Sequence, residues 1–130
     1  FKRNSMDDLR CFTPTETWHD KEAFLKSALA KLGAGVTAYT LSENGVLAFV
    51  AWISADSEKS HFGSVQQTVY YPEKTSNSYE GYVHPGFRGR QLFKHGVSYF
   101  VRQNFEHTDS QRLIAATEGG NIPALRGTYF

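Results

Sequence analysis

The chain has 130 residues, 40% of them hydrophobic, with 10 Phe, 7 Tyr and 2 Trp, enough for one domain with an aromatic-rich core. Lys and Arg total 14 against 13 Asp and Glu, a net charge of +1, which excludes the strong basic excess of a general nucleic-acid binder. A single cysteine, Cys11, excludes an internal disulfide and a Cys-rich metal site, and no apolar run approaches membrane-spanning length. No signal peptide is visible, and the lone cysteine fits a reducing compartment, so a cytoplasmic chain with no membrane and no nucleic-acid partner is expected. Positive charge is local, in Arg88, Arg90 and Lys94. The chain begins with Phe1 rather than Met, and a fragment or processed chain is expected.

Residues 1–7 are polar and are expected to fray. Leu9 to Phe12 reads as a short first strand closed by Thr13-Pro14. Trp18, Phe24, Leu25, Ala28, Leu29 and Leu32 recur at helical spacing, which predicts a helix over 18–32 with Gly33 as its stop and Thr17 or Thr15 as its cap. Val36 to Ser42 and Val46 to Ile53 flank Asn44-Gly45, a strong hairpin signal. Residues 54–62 read as a loop, 64–71 as a weak strand, 72–77 as a loop and 78–83 as a strand. Arg90 to Asn104 is the best-patterned helix: Leu92, Phe93, Gly96, Val97, Phe100 and Val101 form one stripe, with Lys94, Arg102 and Gln103 away from it. Arg112 to Thr117 is a short buried strand, Gly119-Gly120 turns the chain, and Asn121 caps a last helix that tolerates Pro123 in its first turn. The order predicts an α/β (α+β) domain: a mixed, mostly antiparallel sheet flanked by helices, with one parallel strand–helix–strand crossover. Of the aromatic residues, Trp18, Phe24, Tyr39, Trp52, Tyr70 and Tyr71 are expected in the core.

The chemistry concentrates at Tyr82-Val83-His84-Pro85-Gly86-Phe87-Arg88-Gly89-Arg90-Gln91-Leu92-Phe93. A strand runs into Pro-Gly, a basic turn follows, and a helix begins at once. That order offers backbone N–H groups backed by guanidinium charge, a seat for a polyphosphate. It also reads, more blandly, as a solvated turn capping an ordinary helix. No Gly-x-Ser-x-Gly elbow occurs, and the histidines 19, 61, 95 and 107 have no metal-ligand spacing, so no metal is expected.

The same stretch resembles the coenzyme A loop of the GNAT N-acetyltransferase superfamily, Val-x-Pro-x-Phe/Tyr-Arg-Gly-Lys/Arg-Gly-Ile/Leu-Gly/Ala. Val83, Pro85, Phe87, Arg88, Gly89, Arg90 and Leu92 match; Gln91 and Phe93 stand where the family has small residues. Leu113 to Thr117 followed by Asn121-x-x-Ala124 is similar to the family's next strand and helix. The resemblance covers the C-terminal half by motif spacing and the N-terminal half by element order. It implies one domain over 1–130 lacking the family's final strands, with an open sheet edge that a homodimer could complete. It implies acetyl-CoA as acyl donor and a small-molecule or peptide primary amine as acceptor, with direct transfer in a ternary complex. The cofactor-binding positions it marks are Tyr82, Val83, Arg88, Gly89, Arg90, Gln91, Leu92, Phe93 and Asn121. A carboxylate in the strand before the loop is the family's frequent base, here Glu80, and by strand alternation Glu80, Tyr82 and His84 share one face. A Tyr two turns after the Asn protonates the leaving thiolate; by spacing that position is Thr128, with Tyr129 one residue on, and Tyr129 is the candidate acid. Two other readings stand beside this one: a non-catalytic acyl-CoA-binding module of the same fold, and a transferase that uses an acyl carrier.

Overall fold

The computed structural model describes residues 1–63 and 65–115. A five-stranded sheet has the order β1 (Lys2–Arg3), β2 (Thr37–Glu43), β3 (Val46–Ser54), β6 (Thr75–Val83), β7 (Arg112–Ala115). All neighbours are antiparallel except β6 and β7, which run parallel. Helix α3 (Leu92–His107) makes that parallel connection. A separate two-stranded hairpin, β4 (Lys59–Phe62) with β5 (Gln67–Tyr70), interrupts the path from β3 to β6. The mixed sheet, its hairpin and its crossover agree with the sequence reading.

The two faces of the sheet carry separate cores. On one, Leu9, Phe12, Ala28, Ala38, Val50 and Trp52 pack beneath α1 (Met6–Leu9) and α2 (Lys21–Gly33). On the other, Tyr39, Phe49, Ala51, Ile53, Val97 and Phe100 pack beneath α3. Leu47 through Ile53 are all buried, as a central strand covered on both faces requires. Each large side chain buried there, such as Trp52 or Phe49, contributes about 1.5–3 kcal/mol. Gly96 lets α3 lie directly on Phe49: a Cβ at residue 96 would stand 2.5 Å from the ring.

Several expectations are corrected. The N-terminus does not fray: Lys2 and Arg3 pair with Thr40 and Tyr39, and Phe1 stacks on Tyr99 with centroids 5.3 Å apart. Residues 9–12 do not form the expected strand: helix α1 runs through Leu9 and the chain turns at Arg10 and Cys11, because the Ser5 side chain accepts from the Asp8 amide and Asp7 and Asp8 suit a helix N-terminus. Helix α2 starts at Lys21 rather than Trp18, because Asp20 caps it by accepting from Glu22 and Ala23. Residues 59–62 form a strand where a loop was expected, and β6 begins at Thr75 rather than Ser78. Trp18 and Tyr70 are exposed, not core. The expected helix after Asn121 lies outside the described residues.

Candidate functional site

Strand β6 does not alternate simply. Val50 pairs with Tyr82 but Trp52 pairs with Tyr79, so Glu80 and Gly81 together stand opposite Ala51. This is a β-bulge, with Glu80 in the left-handed region at φ 51°. Its effect is to put Tyr79 and Tyr82 on the same face, against the core that holds Trp52. Gly81 faces Phe93 and Val83 packs with Phe49, on the α3 side. The expected alternation is therefore corrected at Tyr79: one extra residue moves it from the side of Gly81 and Val83 to that of Tyr82, the α2 side on which Glu80 meets Lys31. Strand β7 pairs with Thr75 to Ser78, so among the described residues Tyr79 to Val83 run beyond it.

Glu80 is exposed and its Oε2 is held by the Lys31 ammonium, 49 residues away in the last turn of α2. Lys31 Nζ also lies 4.8 Å from the Trp52 ring centroid and 5.9 Å from that of Tyr79, a cation over two π faces. Burial, and then the Glu80 charge, push the Tyr79 phenol above its ordinary value. Tyr79 thus stays protonated and is a donor, not a base.

Beyond the bulge the strand enters the basic turn. The His84 amide donates to the Ala48 carbonyl at 2.9 Å, and His84 Nδ1 accepts from the Gly86 amide at 3.0 Å. Pro85 to Phe87 form one 3₁₀ turn, closed by the Phe87 amide on the His84 carbonyl. Gly89 takes φ 84° and Gln91 φ 56°, and α3 starts at Leu92 without a side-chain cap. The consequence is a row of free donors. The amides of Gly89, Arg90, Gln91, Leu92, Phe93 and Lys94 have no acceptor among the described residues. They sit at the positive end of a 16-residue helix. Arg90 donates to Glu43 Oε2 at 3.1 Å and lies over the Phe87 ring. Arg88 and Lys94 are exposed and make no ion pair among the described residues. Leu92 and Phe93 direct their side chains into the α3-side core, as the apolar stripe predicts, so only their backbone faces the turn.

A third group was missed by sequence reasoning. Segment 13–20 lays Thr15 and His19 over Tyr82: Thr15 Oγ1 is 3.3 Å from the Tyr82 hydroxyl, and the His19 and Tyr82 ring centroids are 5.9 Å apart. His19 Nδ1 accepts from the Thr15 and Glu16 amides at 3.1 and 3.3 Å, which leaves the proton on Nε2 in the neutral ring. The available signal was Asp20, a better helix cap than the threonines, which would have freed residues 15–19 to form a loop. Glu80, Tyr82, Val83 and the 88–93 turn thus lie along one continuous path. Asn121 and Tyr129 fall outside the described residues. Among the described residues no group of three His, Cys, Asp or Glu side chains could hold a metal, and no helix is long and apolar enough to cross a membrane.

No protein-family model matches the chain, and no curated protein matches it. Solved structures do. A "predicted acetyltransferase" of Clostridium acetobutylicum with acetyl-CoA aligns with TM-score 0.60 at 12% identity, over 99% of this chain and 87% of its own. AAC(6')-Iy in complex with a bisubstrate analog of CoA aligns with TM-score 0.61 at 16% identity, over 85% and 70%. Glucosamine-6-phosphate N-acetyltransferase from Arabidopsis thaliana aligns with TM-score 0.53 at 15% identity, over 89% and 76%. The central sheet order, the bulged strand running into the basic turn and these alignments together give this chain the fold of the GNAT N-acetyltransferase superfamily.

Proposed function

We propose that this chain is an acyl-CoA-dependent N-acyltransferase that moves an acetyl group from acetyl-CoA to a primary amine. The observation that carries the proposal is the run of six amides, Gly89 to Lys94, that have no acceptor among the described residues, beside the Arg88 guanidinium, which makes no ion pair among them. Buried or not, adjacent N–H groups aimed at one place form an anion seat. The seat takes the pyrophosphate of CoA, with Arg88 adding a charge-assisted bond. Arg90 contributes its amide and holds the turn to Glu43. The part of β6 beyond its pairing with β7 receives the pantetheine arm, and the amides near Tyr82 and Val83 polarise the thioester carbonyl.

Glu80 then accepts the proton of the acceptor's ammonium. Its Oε1 makes no hydrogen bond among the described residues, while Oε2 is engaged by Lys31. The amine lone pair attacks the carbonyl carbon, the C–S bond breaks, and CoA leaves as a thiolate. In the resemblance stated above, Tyr129 protonates that thiolate and Asn121 contacts the pantetheine. The AAC(6')-Iy structure holds the bisubstrate analog CoA-S-monomethyl-acetylneamine, which fits an amine acceptor as the class.

The test is thiol release from acetyl-CoA over a panel of primary amines. Amine-dependent release supports the proposal. CoA binding with no release from any amine favours a non-catalytic acyl-CoA module, a reading that the Lys31–Glu80 pair also allows.

Gln91 is the costly departure in the turn. A left-handed conformation costs an L-residue about 1–2 kcal/mol, and glycine's extra unfolded-state entropy returns about 0.5–1 kcal/mol of that. Gln91→Gly is therefore expected to stabilise the chain by about 0.5–1 kcal/mol in urea unfolding, and to tighten CoA binding by opening the backbone to the phosphate. Lower stability together with weaker CoA binding would show that the Gln91 side chain supports the turn.

A further inference from the structure

On the acyltransferase reading above, we infer that Lys31 is an internal acyl acceptor: a lysine that this site acylates within its own chain. Three observations meet there. The Lys31 ammonium is in hydrogen-bond contact with Glu80, the carboxylate proposed as base. Its side chain is only 18% exposed, against 67% for Lys2 and 49% for Lys74. Its Nζ lies over Trp52 and Tyr79, the cross-strand pair next to the bulge. An amine, its base and the strand that presents the thioester therefore share one face of the sheet in the resting chain. Reactants held this way gain a large effective concentration over any amine in solution.

The step balances without a further reagent. Glu80 takes one proton from the Lys31 ammonium. The freed Nζ lone pair attacks the thioester carbonyl carbon, a C–N bond forms, and the C–S bond breaks. The second nitrogen proton neutralises the departing thiolate, and Glu80 returns its proton to solvent. The products are an Nε-acyl-lysine and free CoA thiol. Acylation removes the Lys31 charge and releases Glu80 Oε2, so both carboxylate oxygens become available to an external amine.

The experiment is a time course of the intact chain with acetyl-CoA and no added amine, read lysine by lysine by peptide mass spectrometry. Lys21 and Lys26, exposed on the same helix, are the internal controls. Lys31 is expected to be acetylated roughly tenfold faster than either control, or more. Its rate should not change on dilution of the protein at fixed acetyl-CoA. Glu80→Gln should slow Lys31 by about 10²-fold or more, the contribution of a positioned general base, while leaving Lys21 and Lys26 unchanged. Equal labelling of the three lysines, or a Lys31 rate that falls with dilution, overturns the inference. Calorimetry on the same sample separates the two levels: CoA binding without Lys31 labelling sinks this inference alone, and no CoA binding sinks the acyltransferase reading with it.

Discussion

Glu80→Gln is expected to lower turnover by about 10²- to 10⁴-fold, the usual contribution of a positioned general base, with CoA affinity unchanged. Glutamine keeps the size and can still accept from Lys31 through its carbonyl oxygen. It cannot take a proton from an ammonium. The position is suited to the task because the bulge turns Glu80 out of the sheet, and the side chain is exposed beside the strand proposed to hold the thioester. Unchanged turnover would mean that Glu80 serves only as the partner of Lys31.

Gly96→Ala is expected to destabilise the domain by about 2 kcal/mol. Alanine normally gains about 1 kcal/mol over glycine inside a helix, so the sign itself is informative. A Cβ at this position would meet three atoms of the Phe49 ring at 2.5 to 2.9 Å. Phe49 is fully buried between α3 and the sheet and has contacts with Phe1 and Phe93, so the ring has nowhere to go. With three ring atoms that close, the overpacking cost lies at the upper end of its usual range, about 3 kcal/mol, and exceeds the helix gain by about 2 kcal/mol. The expected loss corresponds to a fall in Tm of roughly 8 °C for a domain of this size. Phe49→Leu in the same chain should recover part of the loss, and a double-mutant cycle measures that coupling. Because α3 carries the basic turn at its start, the single variant should also weaken CoA binding. An unchanged or raised Tm would show that α3 can move away from the sheet at little cost.

What was legible in the sequence is what local chemistry decides. Asn44-Gly45 between two β-rich runs specified the hairpin, with both turn residues at positive φ as that turn requires. The apolar stripe from Leu92 to Val101 gave α3 and the inward side chains of Leu92 and Phe93. The strand–basic turn–helix order of residues 82–93 is equally local, and the amides of Gly89 to Lys94, without an acceptor among the described residues, lie at that turn. What was hidden depends on partners distant in sequence. The bulge at Glu80-Gly81 exists only because β6 pairs with β3 out of simple register, so alternation along β6 alone misassigned the face of Tyr79. The Lys31–Glu80 contact joins residues 49 apart and leaves no local signal. Strand β4 reads Lys-Ser-His-Phe, polar on both faces, and is a strand only because β5 pairs with it. The first strand was misplaced because a short run such as Leu9-Arg10-Cys11-Phe12 fits either a strand or the end of a helix, and the Ser5 cap settled it as helix through Leu9.

Calorimetric titration of CoA into the parent chain and into Arg88→Ala tests the central claim most directly, because it asks whether the turn at residues 88–93 is a polyphosphate seat. Expected is saturable one-to-one binding to the parent, weakened in Arg88→Ala by about 1–3 kcal/mol, the range for a charge-assisted bond, or roughly 5- to 150-fold in Kd. No binding to the parent at about millimolar CoA, or binding that Arg88→Ala leaves untouched, would contradict it.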